Sequence, residues 1–169
     1  MSLATDPIAA LGAEHRTLGE TLLRHQEALI ERRLAEAASL LEAYERELLR
    51  HMAFEERHLL ARCLGGGAAR WPSEVYRAEH RRIRQLLRRS IERLTRARAA
   101  PLTAAGLIAL LDEERTLKRL VEHHHEREEQ ALFVELGSAG APPCADGDPA
   151  PGSAARSRPD GPGPVSRTR

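Results

Sequence analysis

Aromatic residues are almost missing from this 169-residue chain: two Phe, two Tyr and one Trp, 3% in all. With 30% charged residues, that scarcity argues against a β-rich fold and for amphipathic helices packed on one another. The chain also lacks any apolar run long enough to span a membrane and shows no secretory leader. Two cysteines, Cys63 and Cys144, make no disulfide framework, so a reduced, cytoplasmic protein is the expectation. Lysine is limited to Lys118 among many arginines, which we read as coding bias. The formal net charge of +1 singles out no partner.

What is present is histidine in a repeating frame. Ala13-Glu14-His15-Arg16 recurs as Ala78-Glu79-His80-Arg81, and His-x-x-x-Glu-Glu occurs at His51–Glu56 and again at His124–Glu129. The order AEHR, HxxxEE, AEHR, HxxxEE describes a duplicated helical hairpin. Residues four apart share a helix face, so His51 points with Glu55 and His124 with Glu128. Four imidazoles and two carboxylates inside a bundle suit a transition metal. The alternative, a core that merely tolerates polar groups, leaves buried carboxylates and imidazoles to be satisfied at high cost.

Four helices are expected. The first opens at Asp6-Pro7 and carries Ile8, Leu11, Leu18, Leu22 and Leu29, with His15 and His25 in the same seam. The chain turns near Arg32 to Leu34 although no Gly or Pro marks the place. The second helix runs to about Cys63 and breaks at Gly65-Gly66-Gly67. Pro72 opens the third, through Tyr76, His80, Ile83, Leu87 and Leu94. Thr103 caps the fourth, which ends at Gly137. Short connections imply an all-α, antiparallel, up-down-up-down four-helix bundle over residues 1–136. The remainder, 137–169, holds seven of the ten prolines and no aromatic, and is expected to be a disordered Pro/Gly-rich tail.

Counting residues from the turns places the candidate ligands at one height, at ~1.5 Å per residue. His80 lies eight residues after Pro72 and Glu55 eight before Cys63. His15 lies eight after Pro7 and Glu128 eight before Leu136. The fourth helix offers three consecutive histidines. The seam through His124 contains Leu110, Leu117 and Val121, whereas that through His125 contains Leu111, Arg115, Lys118 and Glu122 and looks solvated. His124 with Glu128 is therefore the preferred pair, and His123 and His125 are expected at the surface.

The pattern resembles the hemerythrin-like (HHE) cation-binding family over roughly residues 6–136. The resemblance implies a bundle around two non-haem iron ions, oxo- or hydroxo-bridged, with O2 as a ligand. Its metal ligands carry over to His15, His51, Glu55, His80, His124 and Glu128, with the two glutamates bridging. The oxygen-carrying members have a histidine where this chain has Tyr76, and HxxxxD on the fourth helix where this chain has HxxxE. These departures favour the wider sensor, iron-binding and redox branch.

His58 and Tyr76 are level with each other by the same count, opposite Ala131 and Leu11 in the other hairpin. They are candidates for an additional ligand, a proton donor or a hydrogen bond to bound oxygen; the plainer alternative is a buried Tyr finding a His partner. His25 is ~15 Å along the helix from His15 and is expected to pack. The arginine-rich third helix is read as a solvated face paired with acidic neighbours such as Asp112, Glu113 and Glu114, without a nucleic-acid-reading motif. The leading reading is a protein that binds O2 or a related small oxidant, more a binding protein than an enzyme. A di-iron enzyme consuming peroxide or nitric oxide is the alternative, and a metal-free interaction module a third.

Overall fold

The computed structural model describes residues 7–63, 70–99 and 101–138. Asp6, the Gly65–Gly67 break, Cys144 and the tail beyond 138 lie outside them. Helix α1 is Pro7–Ile30. Helix α2 spans 34–63 as Leu34–Phe54, a π-helical turn Glu55–Leu59 and a last turn Leu60–Cys63. Helix α3 is Ser73–Arg98. Helix α4 spans 104–138 as Ala104–Arg127, a second π turn Glu128–Leu132 and Phe133–Ser138. Each helix packs on the next and α4 returns against α1, making a four-helix bundle with no strand among the described residues.

The boundaries follow local chemistry. Thr103 is extended and its hydroxyl accepts the Gly106 amide at 3.1 Å, satisfying one of the free N–H groups that open α4. Between α1 and α2 the chain turns without glycine because Arg32 itself adopts a left-handed backbone, φ 59°. Arg32 N–H then donates to Leu29 C=O at 3.0 Å and Arg33 N–H to Ala28 C=O at 2.8 Å, closing the helix in a Schellman motif. The Arg32 guanidinium also donates to the Leu102 carbonyl, tying this turn to the segment before α4. A side chain in the left-handed region costs about 1 kcal/mol. Arg32→Gly should therefore be more stable than Arg32→Ala by about that amount in urea unfolding, since both lose the Leu102 bond and only the alanine keeps the strain. Equal midpoints would show that the turn is unstrained.

The interior is layered. One large apolar cluster contains Leu18, Leu22, Leu29, Leu41, Leu48, Ile83, Leu87 and Leu117; a smaller one contains Leu11, Leu59, Leu60, Tyr76, Leu132 and Phe133. Along every helix the histidines and glutamates of the duplicated motifs fall between these two clusters. Leu29, Leu48 and Leu117 are wholly buried, and each such leucine contributes roughly 1.5–3 kcal/mol relative to exposure. The apolar layers therefore carry the bundle against the cost of the polar layer they enclose.

Candidate metal centre

Six side chains singled out by the repeats meet in that layer. His51, Glu55, His80, His124 and Glu128 are fully buried and His15 is 6% exposed. Their Nε2 atoms form two pairs, His15 with His51 at 3.0 Å and His80 with His124 at 2.9 Å. Glu55 spans the pairs: one oxygen is 3.0 Å from His51 Nε2 and the other 3.4 Å from His80 Nε2. Glu128 does the same, 3.1 Å from His124 Nε2 and 3.4 Å from His15 Nε2. Despite these short distances the directions are wrong for hydrogen bonds, and all four carboxylate oxygens are buried without a hydrogen-bond partner.

Each of the four imidazoles has its Nδ1 within 2.8–2.9 Å of a further carboxylate: His15 at Glu129, His51 at Glu14, His80 at Glu56 and His124 at Glu79. An acceptor there calls for a proton on Nδ1, which in a neutral imidazole leaves the lone pair on Nε2. Lone pairs thus converge with carboxylate oxygens in a space that excludes water, an arrangement that requires positive charge at its centre. The donor set therefore fits metal ions. The candidate ligand atoms of His15, His51, His125 and Glu128 lie within 4.8 Å of one another, and so do those of Glu55, His80, His124 and Glu128.

His125 is the correction. It was expected on the surface, yet it is 8% exposed, stacks on His15 with ring centroids 3.7 Å apart, and buries an Nε2 that lacks a hydrogen-bond partner. The solvated seam of Leu111, Arg115, Lys118 and Glu122 misled because α4 faces two neighbours. His124 looks toward α3, and His125, about 100° further round, looks toward α1. His123 is exposed, as expected, with 71% of its side chain accessible. His25 packs, as expected, between the Ala37 carbonyl (2.7 Å) and Glu114 (2.9 Å). Glu114 had been placed on the solvated face; instead it is 1% exposed beside His25, while Glu113 does pair with Arg93 at 2.5 Å.

Two further features escaped the sequence. Both π turns begin at the central glutamates, Glu55 and Glu128. A π turn takes in one extra residue, so everything after it is rotated by ~100° relative to an unbroken α-helix. His58 lies inside the first π turn, where the α-helical count no longer applies. His58 is half-buried against Phe54, ring centroids 4.7 Å apart, and is not among the converging groups. Tyr76 is buried in the small apolar cluster with its ring edge-on to His124, 6.3 Å between centroids.

The buried carboxylates favour the protonated form of two of these imidazoles. Burial lowers the affinity of His51 for a proton, but Glu55 and Glu14 outweigh it and hold its pKa above the usual value. For His124, burial is likewise outweighed, chiefly by Glu128. Glu55 is pushed up by burial, yet the His51 and His80 imidazoles bring it well below the ordinary carboxylate range. His125 is pushed down to about 2 by burial and by the charge of His15, His124 and His51. The contributions of His51 and His124 to stability are complete below about pH 6.5 and lost as pH rises through their raised values. That of Glu55 is present above about pH 4.5 and lost on acidification, and neutral His125 disfavours the fold increasingly below about pH 6.5. Metal competes with protons at His51 and His124, whose affinity for them is raised. Loading should therefore release protons, fewer as the pH is raised, measurable with an indicator dye. Loading without proton release would mean that these imidazoles are neutral beforehand.

Fold and site together define a metal-binding helical bundle of the mixed imidazole–carboxylate kind. The family model described as the hemerythrin HHE cation-binding domain matches residues 6–113 and 72–147, and the chain belongs to that family. Neither a search of curated proteins nor one of solved structures returned a match. No helix among the described residues is long and apolar enough to cross a membrane.

Proposed function

We propose that this chain holds two non-haem iron ions and binds O2 or a related small oxidant, for sensing, iron handling or redox protection. The observation that carries this is the set of four buried, hydrogen-bond-free oxygens of Glu55 and Glu128 suspended between two imidazole groups. Iron, when bound, supplies redox-active positions for a small oxidant; mixed imidazole and carboxylate donors suit it. His15, His51 and His125 would hold one ion and His80, His124 and Glu55 the other, with Glu128 common to both groups.

The two halves differ in a way that supports placing the ligand on the His80–His124 side. The residue matching His125 in the other hairpin is Met52, which is fully buried and brings no imidazole. The residue matching Tyr76 is Leu11. The His80–His124 side thus has one imidazole fewer, and Tyr76 stands beside it. Leu59, Leu60, Leu132 and Phe133 seal this end of the layer against water. Anaerobic iron loading, elemental analysis and an anaerobic-to-aerobic absorption spectrum test the assignment. Two irons per chain and a spectral change on admitting air are expected; saturation at one iron would sink it.

Tyr76, buried beside His124, also favours a second reading, an enzyme consuming peroxide or nitric oxide with Tyr76 as proton donor. Tyr76→Phe should keep two irons. Steady peroxide turnover by the iron-loaded wild type that is lost in Tyr76→Phe would decide for the enzyme. Slow single oxidation in both would decide for the binding protein.

A further inference from the structure

The repeated motifs contain four glutamates for which direct metal ligation has no use: Glu14 and Glu79, one residue before a histidine of the site, and Glu56 and Glu129, one residue after its central glutamates. Each accepts from the Nδ1 of a histidine on the neighbouring helix. Glu14 on α1 reaches His51 on α2, and Glu56 on α2 reaches His80 on α3. Glu79 on α3 reaches His124 on α4, and Glu129 on α4 reaches His15 on α1. The chain of contacts closes on itself.

We propose that Glu14, Glu56, Glu79 and Glu129 are a ring of positioning residues, each locking the next helix's imidazole in the orientation that turns Nε2 to the metal. This rests on the di-iron reading for what the imidazoles hold, and on the geometry alone for the ring. The alternation of −1 and +1 positions has a simple cause. Successive helix residues are about 100° apart, and neighbouring helices run in opposite directions. A step back on an up-running helix and a step forward on a down-running one therefore lead the same way round the bundle. Three of the carboxylates are themselves held by guanidinium groups: Glu14 by Arg50 (3.1 Å), Glu56 by Arg84 (2.9 Å) and Glu79 by Arg127, whose charge also lies 5.0 Å above the Trp71 ring. Glu129 is 50% exposed and has no such clamp among the described residues, so it is the loosest member. Partners of this kind set tautomer and ring orientation at metal sites, and losing one costs about 10–100-fold in metal affinity.

The test uses the full chain, Zn(II) in competition with a chromophoric chelator, and the imidazole 1H–15N signals. Glu79→Ala should weaken Zn(II) binding about 10–100-fold and remove the hydrogen-bonded Nδ1–H signal of His124, leaving that of His51 in place. Glu14→Ala should do the converse. Glu79→Gln keeps an acceptor oxygen at the same reach and should restore the His124 signal with part of the affinity. Glu129→Ala should have the smallest effect of the four, and Glu126→Ala, which removes only the exposed pair with His123, none. Metal-free melting curves separate lost positioning from lost folding. Binding within twofold of wild type with unchanged imidazole signals in Glu79→Ala and Glu14→Ala would overturn the ring. If the wild type takes up no metal, the di-iron reading fails instead. The Nδ1–H signals of the metal-free protein then decide the ring by themselves: selective loss of the His124 signal in Glu79→Ala supports it, retention refutes it.

Discussion

Glu128→Ala should reduce metal loading from two ions per chain to at most one, and should remove most of the thermal stabilisation that metal confers. Glu128 is the one residue common to both candidate ligand groups, with one oxygen toward His124 and the other toward His15. A ligand free at a thousand times its dissociation constant adds about 4 kcal/mol to the folded state, so the metal-dependent rise in Tm should be several degrees in the wild type and nearly absent in the variant. His15→Ala is the contrast, because His15 belongs to one group only and should spare the other ion. If Glu128→Ala and His15→Ala behave alike, Glu128 does not span two ions.

The second large effect lies away from the metal. Glu114→Ala should destabilise the bundle by about 1–3 kcal/mol, because it leaves the buried His25 Nε2 without its hydrogen-bond partner. His25 is fully buried, and with Nδ1–H committed to the Ala37 carbonyl its Nε2 has only Glu114 to meet. The effect belongs to the pair and not to the contact. Replacing both residues together, Glu114→Leu with His25→Leu, should be close to neutral or stabilising, since the other Glu114 oxygen is buried with no hydrogen-bond partner in the wild type. Denaturant midpoints of the two variants check this, and their metal stoichiometry should stay that of the wild type. A single variant as stable as the double would show that His25 does without its Glu114 partner at little cost.

These two sites also mark how far the sequence could be read. The duplicated spacing led directly to His15, His51, Glu55, His80, His124 and Glu128, because i, i+4 pairing and equal heights follow from regular helix geometry. Helix ends at Pro72 and Thr103 followed from backbone chemistry. His125 and Glu114 were misplaced for one reason: one-sided amphipathicity assigns a single buried stripe, whereas α4 buries flanks against both α1 and α3. The two π turns left no trace that helical periodicity could detect. The carboxylate ring was visible as letters in the repeat, but its meaning depends on which helix neighbours which, and that is a property of the assembled bundle.

The closed direction of that ring bears on the winding of the bundle. Leucine layers accept four helices arranged clockwise or anticlockwise almost equally well, since apolar contact has no sense of rotation. Glu14, in contrast, meets His51 only when α2 lies on the flank that position 14 faces; in the mirror-wound bundle it would face α4 instead. All four carboxylates vote for the same winding, and each wrong placement strands a buried imidazole. The polar layer thus discriminates against the opposite topology, at some expense in stability. A chain with Glu14, Glu56, Glu79 and Glu129 all replaced by Ala should remain helical but give doubled or broadened amide resonances, the mark of two windings in exchange.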